Sequence, residues 1–127
     1  MKYIRILLAS LVALAAGAAA GQTIDPRQNY VVLSSGGLAL DNQEALESGA
    51  RLFISAHDAA RESQVWQLRP CGEGCYQLFS PLTERALDNA GEGAVECPVI
   101  QWDADPKNPN QQWRLTPQED GSYTLTS

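Results

Sequence analysis

Little in this sequence could carry covalent chemistry. Of 127 residues only one is histidine, and no Gly-x-Ser-x-Gly stretch, Gly-rich phosphate loop or cluster of metal ligands is present. A Cys pair at 71 and 75 has no second ligand pair to make a zinc site with. Acidic residues outnumber basic ones 15 to 9, and the basic ones form no cluster. Such a chain is a poor binder of nucleic acid and of anionic membranes. Asp103 and Asp105 form a carboxylate pair of the kind that hydrolyses glycosides, but in a Pro-rich turn such acids are usually solvated or turn-forming. No segment after the first 20 residues sustains a helical stripe, and QEALES, residues 43–48, is too short to hold a helix alone. No catalytic residue, cofactor or metal is expected.

The one long apolar run is at the start. Lys2 and Arg5 precede Ile6–Ala20, and Ala18 and Ala20 sit at the −3 and −1 places of an A-x-A cleavage site. This reads as a secretory signal peptide over residues 1–20, cut before Gly21. The run falls short of the roughly 20 residues a bilayer span needs. Removing its two cations takes the net charge from −6 to −8 and leaves residues 21–127 as one domain, secreted or periplasmic and not membrane-bound. Export permits disulfides. The Gly-rich loop Cys71-Gly-Glu-Gly-Cys75 would bring two sulfurs together, which leaves Cys97 as a buried thiol or a link to another chain.

What the chain does have is internal repetition. Gln64-Val65-Trp66 returns as Gln111-Gln112-Trp113, 47 residues on. Leu40-Asp41-Asn42 returns as Leu87-Asp88-Asn89, and Trp66-Gln67-Leu68 as Trp113-Arg114-Leu115. Tyr30, Tyr76 and Tyr123 open successive units. Within each unit four short strands are expected, separated by Gly, Asp, Asn and Pro turns. They are YVVLSS, LALDN, RLFIS and VWQLR in the first unit, and YQLFS, RALDN, PVIQW and QWRLT in the second. A four-stranded unit of this size cannot bury its apolar face alone and must stack on its siblings.

These elements resemble the ricin B-type lectin domain, a β-trefoil family with Gln-x-Trp in each repeat. The resemblance runs from about Gln28 onward. It implies an all-β, β-trefoil-like fold made of two complete four-stranded units plus the first strand of a third, Gly121 to Leu125. Family members usually close with three units. Either this chain is a shortened product or another copy completes it as a homo-oligomer.

The resemblance also implies a non-catalytic carbohydrate-binding function, with a glycan as partner and galactose-type sugars the class to try first. Sugars present an apolar C–H face and a fan of hydroxyls, so a site wants a ring, a carboxylate and an amide. Those roles fall to Asp88, Trp102, Asn110 and Gln111 in the second unit, with Asn89 and Asp103 as neighbours. The first unit keeps only Asp41 and Gln64, as a weak or decayed second site. Ser55 stands where Trp102 would be, Ser63 where Asn110 would be, and His57 is a substitute ring two residues late. Trp66 and Trp113 belong to the core, and Gln64 and Gln111 would then satisfy nearby backbone groups. Competing readings stay open: the two Asp residues as turn caps, Trp102 buried beside Ile100, and Asn110 as a plain turn residue. The alternative function is a structural or protein-interaction domain whose sugar site has decayed.

Overall fold

The computed structural model describes residues 24–91 and 99–127, together with the backbone of residues 2–7. Cys97, the bulk of the leader and the cleavage site before Gly21 lie outside the described residues. Among the described residues the secondary structure is strands and single 3-10 turns. After β1 (Lys2–Leu7) come β2 (Tyr30–Leu33), β3 (Leu38–Asp41), β4 (Phe53–Ala56) and β5 (Gln67–Gly72). Then follow β6 (Cys75–Ser80), β7 (Arg85–Asp88), β8 (Ile100–Asp103), β9 (Trp113–Pro117) and β10 (Tyr123–Thr126). Each expected strand of both units is present. QEALES forms no helix: Gln43 and Glu44 take positive φ and the segment turns.

Neighbouring strands form the order β4-β3-β2-β1-β10-β9-β6-β7-β8, with β5 paired to β6. Most pairings are antiparallel hairpins or their equivalents. The exception is β1, which runs parallel to β2 on one side and to β10 on the other.

The 47-residue register of the sequence reappears as a register of hydrogen bonds. Tyr30 bridges Trp66, and Tyr76 bridges Trp113. Trp66 donates its indole N–H to the Leu40 carbonyl at 3.0 Å, and Trp113 does the same to Leu87. Asn42 donates to the Ser80 hydroxyl, and Asn89 to that of Ser127. Tyr30, Trp66, Leu68, Leu78, Leu87, Trp113, Leu115 and Tyr123 form one buried cluster. A Trp can be sealed this way because its single polar atom has found an acceptor. This is why Gln-x-Trp recurs: the indole fills the core and ties itself to the preceding Leu-Asp strand.

At the tip of the β5–β6 hairpin Cys71 and Cys75 form a disulfide, with Cα atoms 5.3 Å apart. A cavity of about 390 Å³ opens beside the core, lined by Val32, Leu40, Leu52, Phe53, Leu87 and Leu125 among others. Its wall is apolar and includes none of the expected sugar-contacting side chains.

Candidate functional site

In an antiparallel pair, residues directly opposite share a face of the sheet. Asp88 stands opposite Ile100 and Ala86 opposite Trp102, so Asp88 and Trp102 are diagonal neighbours on one face of the β7–β8 pair. Such diagonals are about 7–8 Å apart, within reach of one monosaccharide. Leu87 and Gln101, and Arg85 and Asp103, point to the other face.

Trp102 is 47% exposed, so the reading that buries it beside Ile100 does not hold. Its six-membered ring lies over Gly49, with the Cζ3 atom 3.5 Å from where a Cβ would stand. Gly49 belongs to a loop of the first unit that clamps β8. Its N–H donates to the Gln101 carbonyl, and the Gln101 amide donates to the carbonyls of Ala45 and Glu47. The indole is thus exposed on one face and seated on the other by backbone without a side chain.

Asp88 is 3% exposed, and both of its oxygens are engaged. Oδ1 accepts from the Ala90 backbone N–H at 2.7 Å, and Oδ2 accepts from the Gln111 amide at 3.1 Å. The turn-capping reading is therefore correct for one oxygen and incomplete for the other. Among the described residues no cation pairs with this carboxylate. Each oxygen can take a further hydrogen bond.

Gln111 is not a surface residue. It is fully buried, and its amide is consumed by the protein: it donates to Asp88 and to the Asp103 carbonyl, and accepts from the Asp105 backbone N–H and from Gln77. As an expected sugar contact it must be corrected: it stands behind Asp88 and fixes the direction of its carboxylate. Asn110 lies in the 3-10 turn Pro109–Gln111. Its N–H donates to the Asn108 side chain and its carbonyl accepts from the Asn89 N–H. Its amide nitrogen lies 3.4 Å from where a Cβ would stand on Gly91. Among the described residues its side chain makes no hydrogen bond, so the amide remains for another partner.

Asp103 does not join the group. It pairs with Arg85 and accepts from the Ser48 hydroxyl on the opposite face, tying the two units together. Asp105 accepts from the Lys107 N–H, as a turn residue does.

The first unit copies this framework. Gln64 donates to Asp41 Oδ2 and to the Ala56 carbonyl, and accepts from the Asp58 N–H. The ring is absent, since the half-buried Ser55 occupies its place, and His57 is exposed just past β4. One contact was not read from the sequence: Arg61 lies 3.4 Å from Asp41 Oδ2. Burial pushes the Asp41 carboxyl up. The Gln64 amide, the Gln43 N–H, the Ser63 hydroxyl and, last, the Arg61 charge act the other way and prevail, holding it below the usual carboxylate range.

Among the described residues no group of three or more His, Cys, Asp or Glu side chains is placed to hold a metal ion, and no helix is long and apolar enough to cross a membrane.

No curated protein matches the sequence. Solved structures do. A designed three-fold symmetric protein, ThreeFoil, is 32% identical with a TM-score of 0.66, over 71% of this chain and 64% of its own. The exo-β-1,3-galactanase 1,3Gal43A from Clostridium thermocellum is 27% identical with a TM-score of 0.69, over 84% of this chain and 23% of its own. A Polyporus squamosus lectin bound to an influenza-binding sialylated epitope shares the fold at 18% identity and a TM-score of 0.57, over 72% of this chain and 32% of its own. The chain spans less than two thirds of the length of each. The family described as ricin-type β-trefoil lectin domain-like matches residues 62–127, just over half of the sequence. With the Gln-x-Trp framework in place twice, the chain belongs to the ricin-type β-trefoil lectin-like family.

Proposed function

We propose that this chain is an exported, non-catalytic carbohydrate-binding module whose saccharide site lies in the second unit. Asp88 accepts from sugar hydroxyls, Trp102 covers the apolar sugar face, and Asn110 donates and accepts at the rim. Gln111 acts through Asp88. The observation that carries this reading is the exposed indole on the same sheet face as a buried carboxylate whose orientation is fixed from behind. The galactanase likeness supports galactose-type sugars as the first class to test.

Retention of the purified domain on immobilised galactose and on a glycan array tests the proposal. Trp102→Ala is expected to abolish retention and leave the thermal melt in place. Retention that survives the substitution, or a wild-type domain that no glycan holds, would sink it. The latter result would favour the alternative, a structural or protein-interaction domain.

The same reading takes residues 1–20 as an export leader. Its removal would withdraw β1 from between β2 and β10 and leave two strand edges without partners. Unpaired edges recruit further strands, and a second copy of the chain carries both complementary edges. Association would also multiply a single weak site. A millimolar site is worth only about −4 kcal/mol, and linked sites gain avidity without new contacts.

A further inference from the structure

The bonding of the two units is the same almost atom for atom through the Gln-x-Trp turn. Arg61 N–H donates to the Asp58 carbonyl and Asn108 N–H to that of Asp105, both at 3.0 Å. Gln64 N–H donates to the Arg61 carbonyl and Gln111 N–H to that of Asn108. Ala60 and Lys107 cap back onto Asp58 and Asp105. Against this background position 61 departs from position 108. The Asn108 side chain accepts from Asn110 N–H and caps its 3-10 turn, whereas the turn at Glu62–Gln64 has no side-chain cap. The Arg61 side chain instead extends to Asp41, whose carboxylate is fully buried.

An ionised carboxylate oxygen has room for two hydrogen-bond donors. On Asp88 Oδ2 the Gln111 amide takes one place, and among the described residues no protein donor takes the other. On Asp41 Oδ2 the Gln64 amide takes the matching place. The Arg61 guanidinium comes within 3.4 Å of the same oxygen as an ion pair. A sugar hydroxyl would reach such an oxygen as a donor.

We infer that Arg61 is an intramolecular ligand of the first unit, occupying on Asp41 the position that a saccharide hydroxyl takes on Asp88. This deepens the proposed function and rests on it. The first unit is then blocked, as well as lacking its ring at Ser55. Arg61 sets the number of sugars one chain holds. The blocker costs the fold little to keep, because its positive charge lies 3.4 Å from an acid that would otherwise be buried without a cation.

The experiment compares two variants in the full mature domain, each titrated with galactose or the glycan that the wild type retains. Ser55→Trp with Ser63→Asn restores the second unit's ring and amide but keeps Arg61. Adding Arg61→Asn restores the second unit's cap as well. Calorimetry is expected to give one binding equivalent for wild type and for the first variant, and two for the second. Two equivalents with Arg61 still present, or one equivalent when it is gone from a folded protein, overturn the inference.

A wild type that binds no sugar would defeat the proposed function, and the inference is then judged on Arg61→Asn alone. In that variant the Asp41 carboxyl, followed by NMR, is expected to titrate higher than in wild type. An unchanged midpoint would show that the guanidinium does not occupy the acid. The same measurement decides the matter if the multiply substituted domains fail to fold.

Discussion

The amide nitrogen of Gln111 lies 3.1 Å from Oδ2 of Asp88, and both side chains are sealed from solvent. The bond is electrostatically strong because it joins an amide donor to a buried charge. Replacing Gln111 by Ala removes it, and also strips the buried Gln77 amide and the part-buried Asp105 N–H and Asp103 carbonyl of their partners. Each buried group left unsatisfied costs about 1–3 kcal/mol. Gln111→Ala is therefore expected to destabilise the domain by several kcal/mol in urea unfolding, on the order of a sizeable share of a small domain's total stability. Gln111→Glu keeps the shape but sets two carboxylates face to face, and it should lower stability too. Near-normal stability of either variant would show that the amide does not hold the acid.

Much of this arrangement was legible in the sequence because the fold repeats. Gln64 and Gln111, Trp66 and Trp113, and Asp41 and Asp88 share one spacing, and shared spacing forces shared geometry. The strands were legible for a simpler reason: short β-branched and aromatic runs between turn formers have no other stable use. What spacing alone could not give was direction. Gln111 was readable both as part of the site and as a buried amide serving backbone groups, and the hydrogen bonds of its amide decide for the second. Arg61 was missed although the register places it at the Asn108 position. A long flexible side chain does not announce in sequence where its charged end will come to rest. The exposure of Trp102 was equally hidden, because strand alternation puts it on the face of Ile100 and does not say which face meets water.

Acid should weaken the fold through Asp41. Its folded-state value is lowered relative to the ordinary carboxylate. Ionised Asp41 therefore contributes stability that is fully present above the unfolded value of about 4, and that contribution is lost as pH falls through the lower folded value. Urea midpoints measured from pH 5 downward are expected to fall more steeply in wild type than in Asp41→Asn. Equal slopes would mean that the acid is not held down by its partners.

Gly49 supports the indole of Trp102 with φ of +89°, a conformation that side chains rarely adopt. A Cβ there would stand 3.5 Å from the ring, an ordinary contact that does not push the indole away. Backbone strain, not collision, should dominate Gly49→Ala, at a cost of about 1–2 kcal/mol. The expected result is a lower unfolding midpoint with sugar retention intact. Lost retention at unchanged stability would mean that the ring had shifted.

Reduction of the Cys71–Cys75 bridge should matter little. A loop this short gives at most about 2 kcal/mol by loop-closure entropy. The β5–β6 ladder already closes the same hairpin, from Gln67 opposite Phe79 to Gly72 opposite Cys75. A double Cys→Ser variant is expected to melt a few degrees lower and to keep its sugar retention.

Since β1 runs parallel to both β2 and β10, those two strands run parallel to each other on either side of it. If the leader is removed, each exposes its backbone along one edge. A two-fold axis along the strand direction would set β2 of one chain beside β10 of the other, and the reverse, with both pairs parallel and neither of these two edges left open. The apolar cavity lies on the same wall: Val32 and Leu33 come from β2 and Leu125 from β10, with Phe53 and Ile54 exposed nearby. Covering these side chains favours association, whereas the net charge of each acidic chain opposes it, and salt weakens that repulsion. Residues 21–127 are therefore expected to sediment as a dimer, more completely at high salt than at low, while the chain with residues 1–20 attached stays monomeric. Arg in place of Val32 or Leu125 should return the dimer to monomer. A mature domain that sediments as a monomer at every salt concentration, with a cooperative melt, would rule the pairing out.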